Sequence, residues 1–237
     1  EQVIAFTRMA QAELLHVSTT SVCGEYLVRA PEESAVFTEA DLDIGQNWQE
    51  NIYVRGKFLA EEKMQQAQRQ GLRAKVFRVG RLVGRSKDGV FQKNPDTNAF
   101  YRLVKGILQL DRIPVRLLGE PIELTAVDEC ARALILLRHG EDTTYHLLNP
   151  YTLSLRELLS ALHRPFQMVG DTEFERSLQE KIGSSAAELD SFVEAWNQKK
   201  SHGQKIYPTA ERTIEELGKN GFHWSWPEPE ILLREFF

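Results

Sequence analysis

Apolar positions along the chain alternate between the spacing of one helix face and compact strand-like blocks. Val3, Ile4, Phe6, Met9 and Ala10 recur at helical spacing, and "ELLHVS" follows as a short buried strand. "NIYVRGKFLAEEKMQQAQRQG" combines helix-forming residues with charged outer positions and a glycine stop at Gly71, after which "RAKVFRVG" reads as an apolar strand ending at Gly80. The segment 81–98, rich in Gly, Asn, Asp and Lys, has the composition of a long loop at a strand end. "TNAFYRLVKGILQL" restores helical spacing through Phe100, Leu103, Val104 and Ile107. A strand "PIELTAV", a helix "VDECARALILLRHG", a strand "TYHLLNP" and a helix from about Ser154 to Leu162 come next. Beyond Gly170 the strand signal fades, leaving helix-like "DTEFERSLQEKIG", "SAAELDSFVEAWNQKK" and "TAERTIEELGKNGFHW".

Strands separated by helices predict an α/β fold with a mostly parallel sheet under helical cover. The expected division is an α/β part over 1–150, with 81–98 as its substrate-side loop, and a mainly helical subdomain over 151–237.

Composition narrows the function classes. The 237 residues carry a net charge of −5 with Lys and Arg scattered, which speaks against a nucleic-acid surface. No apolar run approaches the roughly 18 residues of a membrane span, and no signal segment opens the chain. The two cysteines, Cys23 and Cys130, lack metal-type spacing and read as small buried residues, so no metal site is expected and a cytoplasmic setting is. His16 and His146 sit in apolar strands and read as core histidines. Trp224 and Trp226 read as aromatics anchoring the tail.

The candidate chemistry lies in two stretches. "HVSTTSVCG", from His16 to Gly24, places four consecutive hydroxyls at a strand end, and Tyr53 and Lys57 in "YVRGK" share one helix face. An ammonium beside a phenol favours phenolate, which suits proton transfer near neutral pH. Ligands in open α/β sheets bind at strand ends.

Taken in order, "LLHVSTTSVCG", "YVRGKFLAEEKM", "VFRVGRLVG", "LTAVDECARALILL" and "TYHLLNP" resemble the extended short-chain dehydrogenase/reductases. Within that group the chain is most similar to the thioester reductase domains of nonribosomal peptide synthetases, relatives of carboxylic acid reductases. The resemblance implies a Rossmann-like fold and a catalytic triad of Thr19, Tyr53 and Lys57, with Ser18 and Thr20 open as alternatives to Thr19. It implies NADPH as cofactor, with Tyr53, Lys57, Val79, Gly80 and Arg81 at its nicotinamide end. The implied reaction is reductive release of an acyl or peptidyl thioester from the phosphopantetheine of a carrier protein, as aldehyde or alcohol, with the helical C-terminal third facing the carrier. Two other readings stand beside it: a nucleotide-sugar epimerase or dehydratase of the same fold, and a non-catalytic fragment.

The chain departs from the family in three places. It has Cys23 where Tyr is frequent and Val79 where Pro is common, and it contains no GxxGxxG turn for a dinucleotide pyrophosphate. The sequence therefore reads as the C-terminal portion of a reductase domain lacking its N-terminal glycine-rich half, expected to be inactive alone.

Overall fold

The computed structural model describes residues 1–94, 97–163, 165–182 and 205–234. In chain order the strands are β1 (Leu14–Thr19), β2 (Ala35–Phe37), β3 (Ala74–Val79), β4 (Leu82–Val83), β5 (Arg112–Pro114), β6 (Pro121–Glu123), β7 (Thr125–Ala126), β8 (Thr144–Leu147), β9 (Thr152–Ser154), β10 (Gln167–Val169) and β11 (Ile206–Pro208). The helices are α1 (Gln2–Met9), α2 (Ile52–Arg69), α3 (Ala99–Leu110), α4 (Val127–Leu137), α5 (Leu155–Ala161), α6 (Asp171–Ile182), α7 (Glu211–Lys219) and α8 (Pro229–Leu232). The helix-like stretch 185–200 lies outside the described residues.

These elements form an α/β fold, mostly parallel in its sheets, as the alternation predicts. Two compact units divide the chain, and neither is continuous in sequence: Glu1–Leu82 joins Asp128–Pro150 and His202–Ser225, while Val83–Val127 joins Tyr151–Ser201 and Trp226–Phe237. A single cut at 150 does not describe this division. The loop and helix after β3 group with the C-terminal residues, and β11 and α7 return to the first unit.

The first unit is built on a parallel sheet in the order β1-β3-β8. Side chains of successive strand residues point to opposite faces, so the sheet has two distinct sides. On one side Ala74 and Val76 pack with Met64, Ala67 and Leu72 of α2 and its exit turn. On the other, Phe77, Tyr145 and Leu147 pack with Cys130, Ala133 and Leu137 of α4, joined by Leu217, Phe222 and Trp224. Helices on both sides explain the near-continuous apolar runs of the strands.

Two sequence expectations need correcting here. Val3, Phe6 and Met9 of α1 are exposed, and only Ile4 of the expected face packs on the α2 cluster; among the described residues nothing covers the other three. Trp224 is buried against Phe222 in the first unit instead of anchoring the last helix, whereas Trp226, in the second unit, is exposed and tilts over Tyr151. Cys23 and Cys130 are both buried, as their spacing suggests, and burial pushes the Cys23 thiol up to about 12.

A polar row runs across the α2 side of the sheet. Ser18 of β1, Arg78 of β3 and His146 of β8 are registered neighbours. Glu61 of α2 receives Ser18 Oγ at 2.5 Å and Arg78 Nε at 2.9 Å, and both Arg78 and Glu61 are essentially solvent-free. Arg78 Nη1 donates to His146 Nε2 at 2.9 Å, and Nη2 donates to the Asp41 carbonyl at 2.6 Å. A guanidinium can only donate, so Nε2 must accept, which leaves the imidazole proton on Nδ1, donated to the Thr209 carbonyl. Phe37 covers the row, stacked on His146 and 4.9 Å from the guanidinium.

The second unit has its own core. Asn98 caps α3 through the Phe100 and Tyr101 amides, and the helix buries Phe100, Tyr101, Val104, Ile107 and Leu110 against Ile113, Leu158, Leu159 and Phe174. Ser154 and Glu157 form a reciprocal capping box at the start of α5. In the loop after β4, Gly89 has φ +70° and its α-carbon faces the Ile231 carbonyl so closely that a Cβ would lie 1.9 Å from the oxygen.

Gly89→Ala meets both a left-handed backbone and a collision with backbone, and should lower the unfolding free energy by about 2 kcal/mol or more in urea denaturation. His146 gives a second expected outcome. Its pKa is lowered to about 4, first by burial and then by Arg78, with Glu39 and Asp41 opposing. The folded pKa lies below the unfolded value of 6.5, so the unfolded state binds the extra proton between those limits. Stability should therefore be fully present above pH 6.5 and decline as pH falls towards about 4, by on the order of 3 kcal/mol, in denaturant titrations across that window.

Candidate functional site

The helix that carries Tyr53 and Lys57 begins where its sequence says it should. Asn51 accepts the Tyr53 amide at 2.9 Å and the Val54 amide at 3.2 Å, which fixes Tyr53 in the first turn of α2. Phe58 stacks on Trp48 with ring centroids 4.1 Å apart, holding the same part of the helix against the segment before it. Four residues on, Lys57 lies one turn below Tyr53, its Nζ 6.0 Å from the phenol ring centroid. Lys57 Nζ donates to the Val17 carbonyl at 3.1 Å, which ties the helix to β1 two residues before Thr19. Tyr53 is 57% exposed and so reachable by a ligand, whereas Thr19 is buried.

The strand end that opens towards this helix is tightly braced. Thr19 Oγ1 accepts the Ser21 amide at 3.2 Å and donates to Ser21 Oγ at 3.1 Å, capping the short 3-10 turn Thr20–Cys23. Thr20 Oγ1 donates to the Val79 carbonyl at 3.3 Å, joining the ends of β1 and β3. Thr19 and Val79 are registered neighbours, and the Gly80 amide donates to the Leu147 carbonyl at 2.8 Å. Thr19, Val79 and Gly80 thus sit together along the carboxyl edge of the parallel sheet, and Arg81 follows as an exposed residue. Ser18 bonds a side chain of α2 instead: its Oγ donates to Glu61, 43 residues away.

The rest of the neighbourhood distinguishes Tyr53 from the other nearby phenol. Tyr26 Oη donates to Glu50, and that bond pushes Tyr26 up to about 12, holding it as a fixed donor. Asn47 accepts the Glu25 and Tyr26 amides and donates to Glu50, knitting the loop before α2 to the residues after Gly24. Gly24 has φ +66° and lies against Asn47 and Gln46, so a side chain would fit neither the backbone nor the space. Burial holds the His16 imidazole below its ordinary value, with Glu61 raising it and Lys57 lowering it.

Two features escaped the sequence reading. One is a cleft of about 650 Å3 between 27–30 and 43–50, with Val28, Arg29, Asp43, Trp48 and Glu50 in its wall. It arises from the Leu27–Gln46 bridge, a pairing of two irregular segments that no periodicity signals. The other is Glu61, which continues the Tyr53, Lys57 spacing by four more residues on α2 and could have been found from that repeat.

Comparison with known proteins places the chain in a family. A linear gramicidin synthase of Brevibacillus parabrevis is 24% identical over 165 residues, 68% of this chain and 3% of that protein. The aureusimine biosynthetic cluster reductase domain superposes with a TM-score of 0.85 at 25% identity, over 99% of this chain and 62% of that one. A thiolation-reductase di-domain from an archaeal nonribosomal peptide synthetase gives 0.81 at 28% identity, over 98% of this chain and 50% of that one. The chain thus spans less than two thirds of these relatives. Residues 1–134, more than half of the chain and including every candidate site residue, match the NAD_binding_4 model, described as male sterility protein; the chain belongs to that family, and is homologous to the reductase domains of nonribosomal peptide synthetases.

Proposed function

We propose that the protein containing this chain is an NADPH-dependent reductase that releases an acyl or peptidyl group from the phosphopantetheine thioester of a carrier protein, as aldehyde or alcohol. The observation that carries the reading is the docking of α2 on β1: Lys57 Nζ on the Val17 carbonyl brings the Tyr53–Lys57 pair beside the strand end that bears Thr19. Membership of an NAD-binding family supports a nicotinamide cofactor, and the match to a thiolation-reductase di-domain supports a carrier-bound substrate.

The residues present suit one end of that cofactor. Lys57 has ammonium donors beyond the one given to Val17, on the helix face that it shares with Tyr53, and fits a ribose hydroxyl. Val79, Gly80 and Arg81 follow at the same sheet edge, where the resemblance puts the nicotinamide. A glycine turn for the pyrophosphate does not occur in the 237 residues.

A nicotinamide held at that sheet edge would supply hydride chemistry, directed at the thioester carbonyl carbon. Tyr53 Oη would stabilise the oxygen as it gains charge, joined by Thr19 Oγ once its one proton turns from Ser21 Oγ, and Lys57 is the fixed cation beside that phenol. The carbonyl re-forms as the carbon–sulfur bond breaks and the phosphopantetheine thiolate leaves, giving the aldehyde. A second equivalent of reduced cofactor would be needed to turn the aldehyde into an alkoxide, to which Tyr53 would give its proton, giving the alcohol.

In the protein at its natural full length, an acyl-loaded carrier should drive NADPH oxidation, followed by loss of nicotinamide absorbance, and NADH should serve less well. Tyr53→Phe should lower kcat on the order of 10²-fold or more with the fold retained by circular dichroism. Undiminished turnover by that variant would overturn the assignment. A panel of nucleotide sugars, tested with the same protein, should give no epimerised or dehydrated product.

A further inference from the structure

The polar row beneath the site has a second consequence, which rests on the role proposed above for Tyr53. Tyr53, Lys57 and Glu61 lie four residues apart in succession on α2, so one helix face carries all three. Two of them grip consecutive residues of β1: Lys57 holds the Val17 carbonyl and Glu61 holds Ser18 Oγ, with Thr19 next in line. The other oxygen of Glu61 is bound by Arg78 on the neighbouring strand, and Arg78 is in turn bound to His146 on the third. The row Ser18, Arg78, His146 therefore sits one residue below the row Thr19, Val79, Leu147 that forms the site edge.

We infer that Glu61, with Ser18 and Arg78, is a positioning device for catalysis: it locks the axial register of α2 on β1 and so sets where Tyr53 stands relative to Thr19. An apolar helix face packed on a sheet tolerates small axial shifts, because its contacts are non-directional. The Glu61 contacts are directional and short, and a slip of α2 would strand a buried carboxylate and a buried guanidinium. Displacements of about 1 Å are enough to slow a reaction by about 10²-fold, so a register lock one turn from Lys57 acts on rate without touching substrate.

The test uses the natural full-length protein and two substitutions in the lock. Ser18→Ala removes one hydroxyl and leaves the ion pair intact, so the fold should persist with a thermal midpoint within a few degrees of the parent. Its kcat should fall about tenfold, and Glu61→Gln, if it folds, should fall at least as far. The decisive measurement repeats Ser18→Ala in the Tyr53→Phe background by single turnover. There the positioned phenol hydroxyl is gone, so Ser18→Ala should add little further slowing, a non-additivity that general loosening of the fold would not produce. Ser18→Ala at the parent kcat, or an equal slowing in both backgrounds, would overturn the inference. Undiminished turnover by Tyr53→Phe alone would instead overturn the catalytic reading beneath it, so the two failures are told apart.

Discussion

The buried ion pair between Arg78 and Glu61 is the constraint around which the first unit is arranged. Neither side chain touches solvent, and a desolvated charge is tolerated only when fully partnered. The guanidinium is satisfied by Glu61, His146 and the Asp41 carbonyl, and the carboxylate is satisfied from both sides by Arg78 and Ser18. Removing either charge would leave the other stranded at a cost of about 3–5 kcal/mol. Each partner belongs to a different element, so β1, α2, β3, β8 and the loop at Asp41 must all be in place at once. The network extends further through the imidazole, whose Nδ1 proton reaches Thr209, and through Thr213, which donates to the buried Glu39 and binds the His146 amide.

The fold was legible in the sequence where local pattern decides structure. Alternating apolar blocks located β1, α2, β3, α4 and β8 because each buries one face or both against a neighbour. The cap residues Asn51, Asn98 and Ser154 stand where the periodic stretches begin. The discontinuous units were not legible, because whether 83–127 groups with residues before or after it depends on long-range packing that no window contains. For the same reason the apolar face expected of α1 is exposed: spacing shows that a helix has a face, not that this chain supplies its cover.

Site legibility divides along the same line. Tyr53 and Lys57 announce themselves by helical spacing, and the hydroxyl run by its composition. Which hydroxyl does what is a matter of strand alternation and of partners far away in sequence. Ser18 and Thr19 point to opposite faces of the sheet, one towards Glu61 and the other into the cap of the 3-10 turn. Nothing in "RAKVFRVG" itself assigns Arg78 a partner; its role appears only when Glu61 and His146, from 17 and 68 residues away, arrive on either side.

A polar row through an otherwise apolar interior calls for a physical reason, since an apolar replacement of matching shape is often as stable or more so. Helix packing on a parallel sheet supplies one. Leu, Val and Met contacts reward burial but discriminate weakly between neighbouring registers, whereas a carboxylate held between a serine on one strand and a guanidinium on the next has one favourable position. The row also lies where register matters most, one residue below the edge that bears Thr19 and one helical turn beyond Lys57. A lock placed far from that edge would define the fold equally well but would pass its precision through several intervening contacts. Placed here, the buried pair inferred to be a register lock would also be the nearest rigid reference for the groups proposed to act on a substrate.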